Sequence, residues 1–170
     1  MGKVFDVIDD KLAAWIGRQR LFFVATAPSE GGHVNLSPKG PIGSLRVVDE
    51  RTVEYVDHVG SGAETAAHLR ENGRICLMLC AFEGPPRIVR LHGRGEAVPA
   101  ADPADGVRGV IRVHVDRISD SCGYGVPLMD YVGERPQREL WLERKGPDGL
   151  RDYVREKNGT SIDGLPAFED

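Results

Sequence analysis

The residues from Arg74 to Phe82 read RICLMLCAF, and from Ile75 to Phe82 no charged or amide side chain interrupts the run. Turn formers bound it on both sides, Asn72-Gly73 before it and Glu83-Gly84-Pro85-Pro86 after it. A helix that crosses a bilayer takes about 20 apolar residues, so this run cannot be one. Its length and flanks suit a strand buried on both faces, at the centre of a sheet. A chain built round such a strand must supply neighbours for both of its edges.

The rest of the sequence supplies them. LFFVATA from Leu21 is a second short apolar run, stopped by Pro28-Ser29-Glu30-Gly31-Gly32. His33 to Ser37, Leu45 to Val48 and Thr52 to Asp57 read as further strands, with Asp49-Glu50-Arg51 as the tight turn between the last two. Ile88, Val89 and Leu91 sit within the basic pattern RIVRLHGRGEAV, which predicts a long, half-exposed strand. From Val110 to Ile118, valines alternate with Arg112, His114 and Asp116, the period of a strand with one wet face. Most connections are too short to hold a crossover helix, so a parallel α/β sheet is disfavoured. The expected fold is mainly β, a closed or split β-barrel with flanking helices.

Three segments have helical spacing. Ile8, Leu12, Trp15 and Ile16 predict an N-terminal amphipathic helix over about 6–18, covering one end of the barrel. GSGAETAAHLRENG predicts a short helix that stops at Asn72-Gly73. The tail over about 135–158 carries Leu140, Trp141, Leu150, Tyr153 and Val154, and Gly146-Pro147-Asp148-Gly149 divides it into two short helices. The 170 residues are expected to form one domain, 1–170.

A net charge of −4 gives no electrostatic footprint for nucleic acid or an anionic membrane, so neither is expected as a partner. The N-terminal MGKVFDVIDD places acids where a signal peptide needs an apolar run, and a cytoplasmic location is expected. Cys76, Cys80 and Cys122 are an odd number and are read as reduced thiols. No metal site is expected, because Cys76 and Cys80 lie in the apolar run without a second ligand pair.

Four segments have the residue types for chemistry. Asn35-Leu36-Ser37-Pro38-Lys39-Gly40-Pro41 reads as a stiff loop that offers backbone groups to a flat heterocycle and Lys39 to an anion, or as a plain hairpin loop with a solvated lysine. Val59 to Thr65 feeds a helix start, an anion site to which Ser61 and Thr65 add hydroxyls; the alternative is an S-x-x-E capping box of Ser61 and Glu64, which needs no ligand. Arg90, His92 and Arg94 share one strand face, suited to phosphate or carboxylate, or to acids across the sheet. Ser121-Cys122-Gly123-Tyr124-Gly125-Val126-Pro127 sets a cysteine and a tyrosine among glycines, able to bring backbone and an aromatic ring against a ligand. Cys122 is otherwise an inert thiol, and no catalytic residue is singled out.

In their order and spacing, LFFVATA, HVNLSPKG, TVEYVD, GSGAETAAHLRENGRICLML and PPRIVRLHGRGEAV resemble the pyridoxamine 5′-phosphate oxidase-like family of FMN-binding split barrels, over about Leu21 to Pro127. The closing SCGYGVP resembles one uncharacterised branch of it. The resemblance implies a homodimer with FMN at the seam. It places Ser37, Pro38 and Lys39 along the isoalloxazine, Ser61, Gly62 and Thr65 at the ribityl phosphate, and Arg90 on a strand that crosses the seam. Cys122, Gly123 and Tyr124 are assigned to the cofactor site as well, and the tail to locking the dimer. Two departures matter. Ser61-Gly62-Ala63 stands where the oxidases commonly carry Ser-Arg-Lys, and near its end the chain has Leu165-Pro166-Ala167-Phe168 rather than the oxidases' arginine-bearing R-L-x-P. Vitamin B6 oxidation is therefore not the expected activity. The expectation is an FMN-dependent oxidoreductase acting on a small molecule, with a non-catalytic flavin, haem or deazaflavin carrier as the alternative.

Overall fold

The apolar run forms β6 (Arg74–Cys80), paired with β2 (Phe22–Thr26) on one edge and β7 (Ile88–Pro99) on the other. The structure, a computed structural model, describes residues 2–168. The remaining strands are β1 (Val4–Phe5), β3 (Asn35–Lys39), β4 (Leu45–Asp49), β5 (Thr52–His58) and β8 (Val107–Ser121). Neighbours run β3-β2-β6-β7-β8-β5-β4 with β1 added on β8, and every pairing is antiparallel. One end of this path, β3, approaches β5 near the other end across the interior, where Lys39 on β3 lies 3.8 Å from Asp57 on β5. The fold is a split barrel.

β6 differs from expectation on one face. Ile75, Leu77 and Leu79 are buried in the core, whereas Cys76 and Met78 are only half-buried on the outer face. An unbroken apolar run on a one-sided strand leaves an apolar outer strip. Inside, Leu77 and Leu79 meet Val24, Leu91, Ile111 and Val113 in one cluster, each fully buried side chain contributing about 1.5–3 kcal/mol.

α1 (Asp10–Gly17) plugs one end of the barrel with Leu12 and Ile16. It begins later than the predicted residue 6, because Asp9 caps it by accepting from Leu12 N at 2.8 Å and residues 4–5 pair with β8. α2 (Glu64–Asn72) stops at Gly73 as expected. α3 (Gln137–Lys157) is broken at Gly146 (φ 64°, ψ 171°), ahead of Pro147, into the two pieces that the sequence predicts. Beyond it the chain folds back over α2, with Ala167 packed among Ala63, Ala66 and Ala67. No described helix is long and apolar enough to cross a membrane.

Candidate functional site

Ser37, Pro38 and Lys39 lie on edge strand β3 rather than on the expected loop, opposite Val24, Phe23 and Phe22 of β2. Proline is tolerated at such an edge, where its missing N–H need not serve a ladder. Strand alternation then turns Ser37 and Lys39 inward and Pro38 outward.

The inward side chains join a buried polar cluster. Asn35 Nδ2 donates to Thr26 Oγ1 and to Thr65 Oγ1, both at 3.0 Å, and Ser37 Oγ donates to Asn35 Oδ1 at 2.7 Å. Thr26 Oγ1 is 2.9 Å from His68 Nδ1. Asp57, 1% exposed, accepts from Arg108 Nε and Nη2 at 2.8 and 3.3 Å, and Arg108 Nη1 donates to the carbonyl of Gly62 at 2.6 Å. Ser37, Lys39, Gly62 and Thr65 are thereby brought together. Burial holds the Lys39 ammonium below the usual lysine range, against the opposing pull of Asp57. Tyr55 Oη, beside Thr65 and Asp57, and His68 Nε2 are buried without a hydrogen-bond partner among the described residues. Orphaned polar atoms of this kind mark a place for water or a ligand.

The capping box does not form. α2 takes Ala63 as its N-cap with no side-chain hydrogen bond, and Glu64 turns back against Gly62 and accepts from Ile162 N at 3.3 Å. The first-turn amides thus lack a side-chain cap, with Ser61 exposed beside them. Such a start suits an anion. The C-terminal segment roofs it: Asn158 Nδ2 donates to Gly60 O at 2.9 Å, and the Phe168 ring lies 5.5 Å from the Arg108 guanidinium.

The other predicted residues fall on the far side of the sheet. Pro38, Phe23, Met78 and Arg90 stand in one cross-strand row, which puts Pro38 and Arg90 about 14 Å apart at roughly 4.8 Å per strand. Leu36, Ala25, Cys76 and His92 make a second row, in which Leu36 is 65% exposed. Cys76 Sγ is 3.9 Å from His92 Nε2, and burial pushes that thiol up. Arg90 Nη1 donates to Ser121 Oγ at 3.2 Å, just before exposed Cys122. Gly123 (φ 67°) lies so close to Arg87 that a Cβ would come within 2.7 Å of its backbone nitrogen. Tyr124 is 83% exposed.

Asp57 and Arg108 did not stand out in the sequence. Asp57 shares the inward parity of Val53 and Tyr55, which was the available signal. Arg108 had none: the β5–β8 register steps from Asp57↔Gly109 to His58↔Val107, and this bulge turns the extra residue inward. A separate groove of about 950 Å³ is lined by Trp15, Arg20, Phe82, Pro86, Arg87 and Tyr131 among others, and holds none of the predicted site residues. No three His, Cys, Asp or Glu side chains among the described residues are placed to hold a metal ion.

Residues 8–137 match the pyridoxamine 5′-phosphate oxidase family. The chain belongs to that family. A pyridoxamine 5′-phosphate oxidase family protein of Aspergillus flavus, ustO, is 38% identical over 191 aligned positions, covering 96% of this chain and 77% of the relative. Among solved structures, a Lactobacillus delbrueckii protein described as a candidate pyridoxamine 5′-phosphate oxidase superposes with a TM-score of 0.51 at 16% identity, covering 68% of this chain and 98% of the other. That likeness shows the shared fold. A FAD-binding protein of Mesorhizobium loti gives a TM-score of 0.48 at 12% identity, covering 71% and 96%.

Proposed function

We propose that this member of the pyridoxamine 5′-phosphate oxidase family is a homodimer that binds FMN at its seam and acts as a flavin-dependent oxidoreductase on a small molecule. The observation that carries this reading is the division of the site residues between the two faces of the sheet. An inner cluster offers Lys39, Ser61, Thr65 and uncapped amides to a phosphate, while an outer strip bears Pro38 and Arg90 beside apolar Leu36, Ala25 and Phe23. A second copy covering that strip would bury its apolar area and bring Arg90 of one chain toward Pro38 of the other, as no single chain can across about 14 Å.

Bound FMN supplies the electron transfer itself. Lys39 and the start of α2 hold the phosphate, and Pro38 gives a flat apolar contact to the ring. Cys122, Gly123 and Tyr124, next to Arg90, close the rim. Leu165 to Phe168 is tied to its own chain through the Thr160–Pro166 bridge and the packing of Ala167 on α2.

The test is the purified protein. A flavin absorbance spectrum and a solution mass twice the 18.6 kDa of the chain are expected. A colourless monomer that takes up no added FMN overturns the reading. Reduction of the bound flavin by NADH or NADPH separates an oxidoreductase from a carrier, and a Soret band on haem addition would identify a haem carrier.

A further inference from the structure

We infer that Arg108 is a positioning residue that shapes the Gly60–Glu64 loop for the phosphate end of the ligand, in place of the two cations that the loop lacks; this rests on the flavin reading above. Ser61-Gly62-Ala63 carries no charge of its own, so the loop must bind an anion through backbone amides and a cation from elsewhere. Arg108 lies beneath it. Two of its nitrogens are committed to Asp57, and Nη1 holds the carbonyl of Gly62 at 2.6 Å.

That hydrogen bond fixes a direction. In a trans peptide the C=O and the following N–H point opposite ways, so drawing the Gly62 carbonyl to Arg108 turns the Ala63 N–H away from that guanidinium. This N–H adjoins the amides of Glu64 and Thr65, which open α2 without a side-chain cap. A Cβ at position 62 would meet the folded-back Glu64 carboxylate, which lies directly against the loop. Glu64 opposes an anion, and the Ile162 amide draws its Oε1 toward the C-terminal segment.

Arg108 does not meet the ligand itself. It is 4% exposed at its side chain, its charge is balanced by Asp57, and Phe168 covers it. Lys39, 23% exposed and 3.8 Å from Asp57, beyond hydrogen-bond length, is the cation with donors to spare. Tyr55 Oη, 1% exposed at its residue and lacking a partner, adds a buried donor near Thr65 and Asp57. The arrangement selects a phosphate monoester over the same flavin without one.

The experiment compares FMN with riboflavin, each titrated into flavin-free protein and followed by quenching of flavin fluorescence. Wild type is expected to bind FMN at least tenfold more tightly than riboflavin. Arg108→Met is expected to weaken FMN tenfold or more while riboflavin stays within about twofold, with circular dichroism unchanged. Arg108→Lys keeps a charge for Asp57 but loses the bond to Gly62 O, and is expected to lower the FMN preference in the same way; it decides the matter if the methionine variant does not fold. Wild type that binds both flavins equally overturns the phosphate assignment and leaves the flavin reading standing. Equal losses for FMN and riboflavin in the folded variants, or no loss, overturn the role of Arg108. Wild type that binds neither flavin overturns both.

Discussion

Arg138 Nη2 lies 2.7 Å from Nδ1 of His58 and ties the first part of α3 to the end of β5. A guanidinium only donates, so Nδ1 must present its lone pair and His58 is neutral in the folded chain. Burial first, and the Arg138 charge second, hold the His58 pKa below the ordinary histidine value. Burial acts on His68 in the same direction. The unfolded chain therefore takes up protons near pH 6.5 that the folded chain refuses, and folding stability falls as the pH drops below about 6.5. Urea denaturation at pH 7.5, 6.5 and 5.5 should show this decline. His58→Asn should make it shallower, and stability that stays flat or rises on acidification would count against the assignment.

Asp57 balances Arg108 and Lys39 at a site from which water is almost excluded. Asp57→Asn leaves two cations without a counter-charge, and breaking a buried pair from one side costs about 3–5 kcal/mol. The loss should appear as a lower urea midpoint with an unchanged m-value. A change under about 1 kcal/mol would mean that water reaches the pair far more readily than its exposure indicates.

Much of the barrel was legible because its signals are local. Period-two alternation marks β8, Gly73 ends α2, and Gly146-Pro147 breaks α3. The site was less legible because its geometry depends on register. Ser37, Pro38 and Lys39 read as one loop, yet edge pairing sends Pro38 to the opposite face from its neighbours. Arg108 reaches Asp57 only through a bulge, and the sequence carries no sign of where an extra residue enters a ladder. The run in β6 reads as buried on both faces, but whether Cys76 and Met78 are covered depends on what lies against the sheet, which periodicity does not encode.

That outer strip gives a test of the dimer. Leu36 is 65% exposed in one chain, on the outward face of edge strand β3, so Leu36→Glu should leave the barrel folded. If a second copy covers the strip, the variant places two carboxylates in an apolar seam and should sediment as a monomer at micromolar concentration, with an unchanged far-ultraviolet spectrum. A variant that remains dimeric puts the interface elsewhere.

Tyr124 allows a sharper test, because the structure removes its main alternative role. An aromatic among glycines after the last strand could have packed on Trp141, but Trp141 instead meets Tyr153 edge-on at 5.1 Å between ring centres. Tyr124 stands 83% exposed, while Gly123 is pinned against the Arg87 backbone and Arg90 holds Ser121. The backbone is thus fixed just before a side chain that its own chain does not use, and Val126 N donates to Gly123 O at 2.9 Å just after it. Tyr124→Ala should therefore leave thermal stability of the flavin-free protein unchanged. If the ring covers part of the flavin, FMN affinity should fall about tenfold, a loss of roughly 1.4 kcal/mol, with riboflavin affected equally because the contact is to the ring system and not to the phosphate. Equilibrium titration of both flavins, with the solution mass measured on the same samples, decides between the roles. Unchanged affinity with a weakened dimer would assign Tyr124 to the partner contact instead.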